Sequence, residues 1–153
     1  MEHQMVVFNL ENEQYGVEIA AVESIIKMQE ITRLPYAPNF VDGITRLRGG
    51  VVPVIDLRKR FGLVPGAHTR NTRIMISALN DASKVGLVVD AVTQVIRIAD
   101  EIIEPPPQLS LSASSAFIKG IAKMNNHLII LLDLSRVLSL DEKEALAATN
   151  FAV

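Results

Sequence analysis

Phe40-Val41-Asp42-Gly43-Ile44-Thr45-Arg46-Leu47-Arg48-Gly49-Gly50-Val51-Val52-Pro53-Val54-Ile55-Asp56-Leu57-Arg58-Lys59-Arg60-Phe61 is the stretch on which the fold turns. It reads as a strand, a glycine hairpin, a second strand and one short helical turn. Gly49-Gly50 can take the positive φ angles that a two-residue hairpin demands. Val51 to Ile55 is an apolar, β-branched run of strand length. Pro53 inside that run calls for a position that needs no ladder donor, at an edge or a bulge. Asp56 stands where a side chain can cap the turn Leu57 to Phe61, and Gly62 can end it.

The pattern returns at an offset of 77 residues. Phe117-Ile118-Lys119-Gly120-Ile121 matches Phe40-Val41-Asp42-Gly43-Ile44. Asn125-Asn126 falls near the hairpin, and Asn is the next-best residue for a left-handed backbone. Leu128 to Leu132 matches Val51 to Ile55, and Asp133-Leu134 matches Asp56-Leu57. An earlier block repeats at an offset of 70, where Tyr15-Gly16-Val17 matches Val85-Gly86-Leu87 and Ala21-Val22 matches Ala91-Val92. Blocks recurring in the same order, each with its glycine in place, imply two copies of one supersecondary unit.

Working outward, Met5 to Leu10 and Tyr15 to Ile19 form an opening hairpin, with Ser24 to Met28 as a further strand. The two prolines of Leu34 to Asn39 mark a loop. Gly62 to Thr72 is a polar connector and the junction between copies. Arg73 to Val89 rebuilds the opening hairpin, Val92 to Ile98 is another strand, and Glu104 to Pro107 is a stiff spacer. Approximate halves are therefore 5–66 and 67–138, with strand exchange between them left open. Ser139-Leu140-Asp141-Glu142 resembles a capping box opening a C-terminal helix within 139–153. About five short strands per half, with turn signals between them, suggest two small closed barrels sharing a Val/Ile/Leu core.

Composition narrows the function. The chain has 153 residues, 49% of them hydrophobic, and a net charge of −2, which is a folded composition rather than a disordered one. It has no Cys, so disulfides, thiolate metal sites and Cys nucleophiles are excluded. No basic, apolar leader opens the chain, and no apolar run approaches the ~20 residues that span a bilayer. A cytoplasmic protein without direct membrane insertion is expected. His3, His68 and His127 show no metal-ligand spacing and read as surface histidines. Asp56 and Asp133 read as caps rather than an acid–base pair. No phosphate loop and no nucleophile elbow is present. The expectation is a protein without catalytic residues, cofactor or metal.

Arg46, Arg48, Arg58, Lys59 and Arg60 form a basic cluster. It fits solvated hairpin residues, a contact for a protein partner, or a small-barrel nucleic-acid groove. The acidic net charge and the 5% aromatic content speak against the last. Arg48 stands out because the second copy has Asn125 in its place. An exposed Arg at a hairpin can fork onto a carboxylate or carbonyl, and Arg is favoured at interface hot spots.

Gly43-Ile44, Leu47-Arg48-Gly49 and Val52-Pro53-Val54-Ile55-Asp56-Leu57-Arg58 resemble the signature of the CheW-like chemotaxis coupling proteins. Tyr15-Gly16-Val17 with Val22 and Ile25 is similar to that family's early strand block, and the likeness runs from Met5 to the C-terminal helix. The resemblance implies a single CheW-like domain over 1–153, mainly β, built of two five-stranded SH3-like barrels related by a pseudo-two-fold. It implies a non-catalytic adaptor that couples transmembrane chemoreceptors to a CheA-type histidine kinase and is recruited to membrane-associated receptor arrays. A receptor's cytoplasmic tip is expected between the barrels, and the kinase's regulatory domain or other CheW-like domains on barrel faces. By position, Arg48, Val22 and Gly49 are then receptor-binding, and Ser24, Ile25 and Gly43 face the kinase. Two positions depart from the family pattern. Arg46 stands where Asn is frequent, and Ser24 where Glu is frequent, with Glu23 one residue earlier.

Overall fold

Strands that are apolar along their whole length need cover on both faces. The computed structural model, which describes residues 1–78, 83–106 and 117–137, supplies that cover with two barrels back to back. In chain order the strands are β1 (Glu2–Leu10), β2 (Glu13–Glu18), β3 (Ser24–Lys27), β4 (Val41–Leu47) and β5 (Gly50–Asp56), followed by the helical turn α1 (Leu57–Arg60). Then come β6 (Arg73–Ala78), β7 (Lys84–Val89), β8 (Ala91–Ala99), β9 (Ile103–Glu104), β10 (Ile118–Met124) and β11 (His127–Leu132). One sheet runs β8-β1-β2-β11-β10-β9 and the other β3-β6-β7-β5-β4.

The two sheets are drawn across the sequence repeat. The opening hairpin of the first half, β1–β2, joins the closing hairpin of the second through the parallel pair β2·β11, with Tyr15 opposite Ile130. The reciprocal pair is β7·β5, with Leu87 opposite Ile55. Each sheet then curls shut. β8 bends through a 3-10 corner at Asp100–Ile102 into β9, which pairs with β10. In the other barrel the chain beyond β3 bends to bridge Thr32 with Ile44 of β4. Counting β8 and β9 as one bent strand leaves five strands in each barrel, as expected.

Side-chain alternation assigns each strand to two cores. Met5 and Val7 point into the first barrel with Ile98, Ala122, Ile129 and Leu131. Val52, Val54, Ile74, Ile76 and Val88 fill the second. The intervening residues Val6, Phe8, Leu10, Ile55, Met75, Leu87 and Leu132 meet in a shared core between the barrels. An aromatic row crosses that core: Phe8 to Tyr15 at 5.8 Å, Tyr15 to Phe61 at 6.0 Å, and Phe61 to Phe117 at 4.6 Å between ring centroids.

Local details agree with the sequence reading or refine it. Asp56 caps α1 by accepting from the Arg58 backbone N–H at 2.9 Å, and Asp133 caps the turn Leu134–Arg136 by accepting from the Ser135 N–H at 3.0 Å. Pro53 lies one residue before the β5·β7 ladder begins at Val54, so β5 is still an edge on that side. The hairpin centre is Arg48-Gly49 instead of Gly49-Gly50. Leu47 pairs with Gly50, and the central residues have φ of 48° and 83°. The cause is register: inward-pointing Val52 and Val54 fix β5, and a one-residue slip would turn both outward. The helix expected within 139–153 lies outside the described residues.

Candidate functional site

Three of the five cations in the basic cluster have partners within the chain. The Arg58 guanidinium donates through Nε to Asp90 at 2.8 Å and through Nη2 to the same carboxylate. Lys59 Nζ lies 3.0 Å from Asp42, and the Arg60 guanidinium sits 5.4 Å above the Phe40 ring. Arg46 and Arg48 remain, both exposed, with no side-chain hydrogen bond or ion pair among the described residues. The pairing of Arg58 with Asp90 and of Lys59 with Asp42 offsets two of the five charges and leaves less positive charge to meet a nucleic-acid backbone.

Arg48 occupies the first central position of a type I′ turn, where φ is positive. The equivalent turn in the second half is Asn125-Asn126, with φ of 42° and 73°. An L residue in that conformation costs about 1 kcal/mol unless it is Gly or Asn. The first half thus carries a strained Arg where the second uses a residue suited to the turn. Gly49, at φ 83°, has nothing within 4 Å of where a Cβ would stand, so the tip is open on that side.

The remaining candidates fall on different parts of the same barrel. Val22 follows the 3-10 turn Ile19–Ala21 and packs half-buried against the shared core. Ser24 and Ile25 lie on β3 opposite Ile76 and Met75, with Ser24 half-buried and Ile25 38% exposed. Gly43 is buried on β4, at the other end of the strand order, where the β4·β5 register shifts. A Cβ at Gly43 would stand 2.0 Å from the Thr32 carbonyl oxygen, and φ there is +146°. That glycine is required by the closure of the barrel. Arg48 and Gly49 share the hairpin tip, whereas Ser24 and Ile25 stand apart from Gly43.

An open cavity of about 500 Å³ lies between β4, α1 and the connector. Ligand-type atoms of Asp42, Asp56 and His68 come within 4.8 Å of one another there. Lys59 already pairs with Asp42, and Asp56 serves as a cap. Burial first, then the Asp42 carboxylate, pushes Asp56 above the usual carboxylate range. At Asp133 the Ser135 hydroxyl donates at 2.6 Å and holds the carboxyl below that range. The Arg58–Asp90 pair escaped sequence reading because its members are 32 positions apart and only the fold joins them.

Residues 4–142 match the model of the CheW-like domain. The chain belongs to the CheW-like domain family. It is similar to the chemotaxis protein CheW of Klebsiella aerogenes, with 34% identity over 91% of this chain and 83% of that one. The chemotaxis protein CheW of Bacillus subtilis is 35% identical over 93% and 90%. Among solved structures, the scaffolding protein TtCheW from Thermoanaerobacter tengcongensis superposes with a TM-score of 0.82 at 40% identity, covering 93% of this chain and 91% of that one. Membership makes this CheW-like protein a chemotaxis coupling adaptor. Among the described residues no helix is long and apolar enough to cross a membrane.

Proposed function

We propose that this CheW-like protein couples by assembly alone, holding a chemoreceptor's cytoplasmic tip on one surface and the regulatory domain of a CheA-type histidine kinase on another. No bond chemistry is involved. The observation that carries the reading is Arg48, an exposed guanidinium with no side-chain partner among the described residues, on a strained hairpin tip. Strain at a position where the second half avoids it points to a side chain retained for use. A planar fork with free donors can grip a carboxylate or a helix-end carbonyl on the receptor tip. Gly49 leaves the tip open, and Val22 adds an apolar edge on the same barrel. Ser24 and Ile25 on β3 form the kinase-facing edge. Gly43, on β4 at the other end of the strand order, contributes to the kinase-facing side through the backbone shape that it permits. Other CheW-like domains fit the same edges. In the cell the protein is cytoplasmic and gathers at receptor arrays.

The test is capture of a soluble chemoreceptor cytoplasmic fragment by wild type and Arg48→Ala. Removing a hot-spot Arg weakens capture by about tenfold or more, with the melting temperature nearly unchanged. Equal capture by the two proteins would remove Arg48 from the docking surface.

A further inference from the structure

The hairpin that carries Arg48 is held by a polar clamp with no equivalent among the described residues around its counterpart. Gln29, on the segment leaving β3, donates through Nε2 to Thr45 Oγ1 at 2.8 Å and to the Arg46 carbonyl at 2.5 Å. Thr45 Oγ1 in turn donates to the Glu30 carbonyl at 2.8 Å. The Thr32–Ile44 bridge adds two backbone bonds of 2.8 Å just below. Thr45 is only 3% exposed, so its hydroxyl is a buried polar group that needs these partners. At the equivalent place, 77 residues on, the second half has Ala122, fully buried and apolar. The barrel architecture therefore does not require a hydroxyl there. It occurs in the half whose hairpin bears Arg48, directly beneath Arg46 and Arg48.

We propose that Gln29 and Thr45 are positioning residues that set the aim of the Arg48 hairpin toward its partner. The inference rests on the docking role proposed for Arg48. Arg48 is two residues beyond the clamped Arg46 carbonyl. A two-residue turn leaves little slack, so fixing that carbonyl fixes the direction of the tip. The clamp also offsets the tendency of a strained turn to sample other conformations. Its contribution to binding is preorganisation, since the hairpin need not be ordered when the partner arrives.

The experiment measures affinity for the same soluble chemoreceptor fragment. Thr45→Val keeps the volume and removes the hydroxyl, Thr45→Ser keeps the hydroxyl, and Gln29→Ala removes the outer donor. Losing the clamp weakens capture about fivefold, the scale of one well-formed hydrogen bond. Thr45→Ser restores capture to near the wild-type level. Added to Arg48→Ala, Thr45→Val causes no further loss, because it acts through Arg48. Two results overturn this inference alone. Thr45→Val and Gln29→Ala could bind like wild type while Arg48→Ala does not, which leaves the Arg48 reading standing. Thr45→Val could instead weaken capture equally with and without Arg48, which shows a general structural effect. If Arg48→Ala itself binds like wild type, the docking reading and the clamp fail together.

Discussion

Arg48 and Asn125 occupy the same turn position in the two halves, with φ of 48° and 42°. Arg48→Asn installs the residue suited to that backbone. It should raise stability by about 0.5–1 kcal/mol in chemical denaturation while weakening receptor capture. A variant that is both more stable and less functional is the mark of strain kept for binding. The duplicated caps differ as well, and pH separates them. Asp133 has a lowered folded-state value, so its contribution is present above the ordinary 3.8 and is lost as pH falls through the lowered value. Asp133→Asn should therefore blunt the loss of stability on acidification. Asp56 is raised, so its contribution is present below 3.8 and is lost as pH rises through the raised value. Asn caps as well as Asp, so Asp56→Asn should gain most over wild type near neutral pH and lose that gain below about pH 4. Thermal melts across that range check both signs. The caps were legible in sequence because each Asp directly follows an apolar strand. The strained turn was not legible, because Gly49-Gly50 offered a locally better hairpin and only inward packing of Val52 and Val54 excluded it.

At the scale of elements, the β4–β5 hairpin is shaped by two glycines with different jobs. A methyl at Gly43 would collide with the Thr32 backbone, whereas one at Gly49 meets open space. Gly43→Ala should cost about 3 kcal/mol, because the clash is with main chain that closes the barrel. Gly49→Ala should cost about 1 kcal/mol for its left-handed backbone alone. Urea titrations of the two variants test that order, and equal costs would contradict it. Any kinase-binding defect of Gly43 variants then has to be separated from misfolding. The strands and their repeat were readable from the glycine positions and the period-two apolar pattern. Their pairing was not, because no local signal says which closing hairpin an opening hairpin will meet. The clamp of Gln29 and Thr45 escaped notice for the same reason, since a Thr in a strand looks ordinary until the segment beside it is known.

The whole molecule is bound together by exchanged hairpins and one shared core. Neither 1–66 nor 67–153 contains both partners of the parallel pairs β2·β11 and β5·β7. Each fragment alone should remain unfolded, and mixing the two should restore β structure in circular dichroism. Phe8, fully buried in the shared core, stacks on Tyr15. Phe8→Ala should cost about 3–5 kcal/mol and lower a single melting transition rather than split it in two. Family and fold were legible because the closing hairpin and its repeat are specific. A docking role can be proposed from sequence only where a side chain has no evident structural task, as at Arg48, whereas the sequence did not show that Gly43 is needed to close the barrel.

Co-sedimentation of a CheA-type kinase with receptor-containing membranes addresses coupling most directly. Wild-type chain should carry the kinase into the pellet, and without it, or with Arg48→Ala at the same concentration, the kinase should stay in the supernatant. Equal partitioning of the kinase with wild-type chain, with Arg48→Ala and with no chain would contradict an adaptor that works by holding two proteins together.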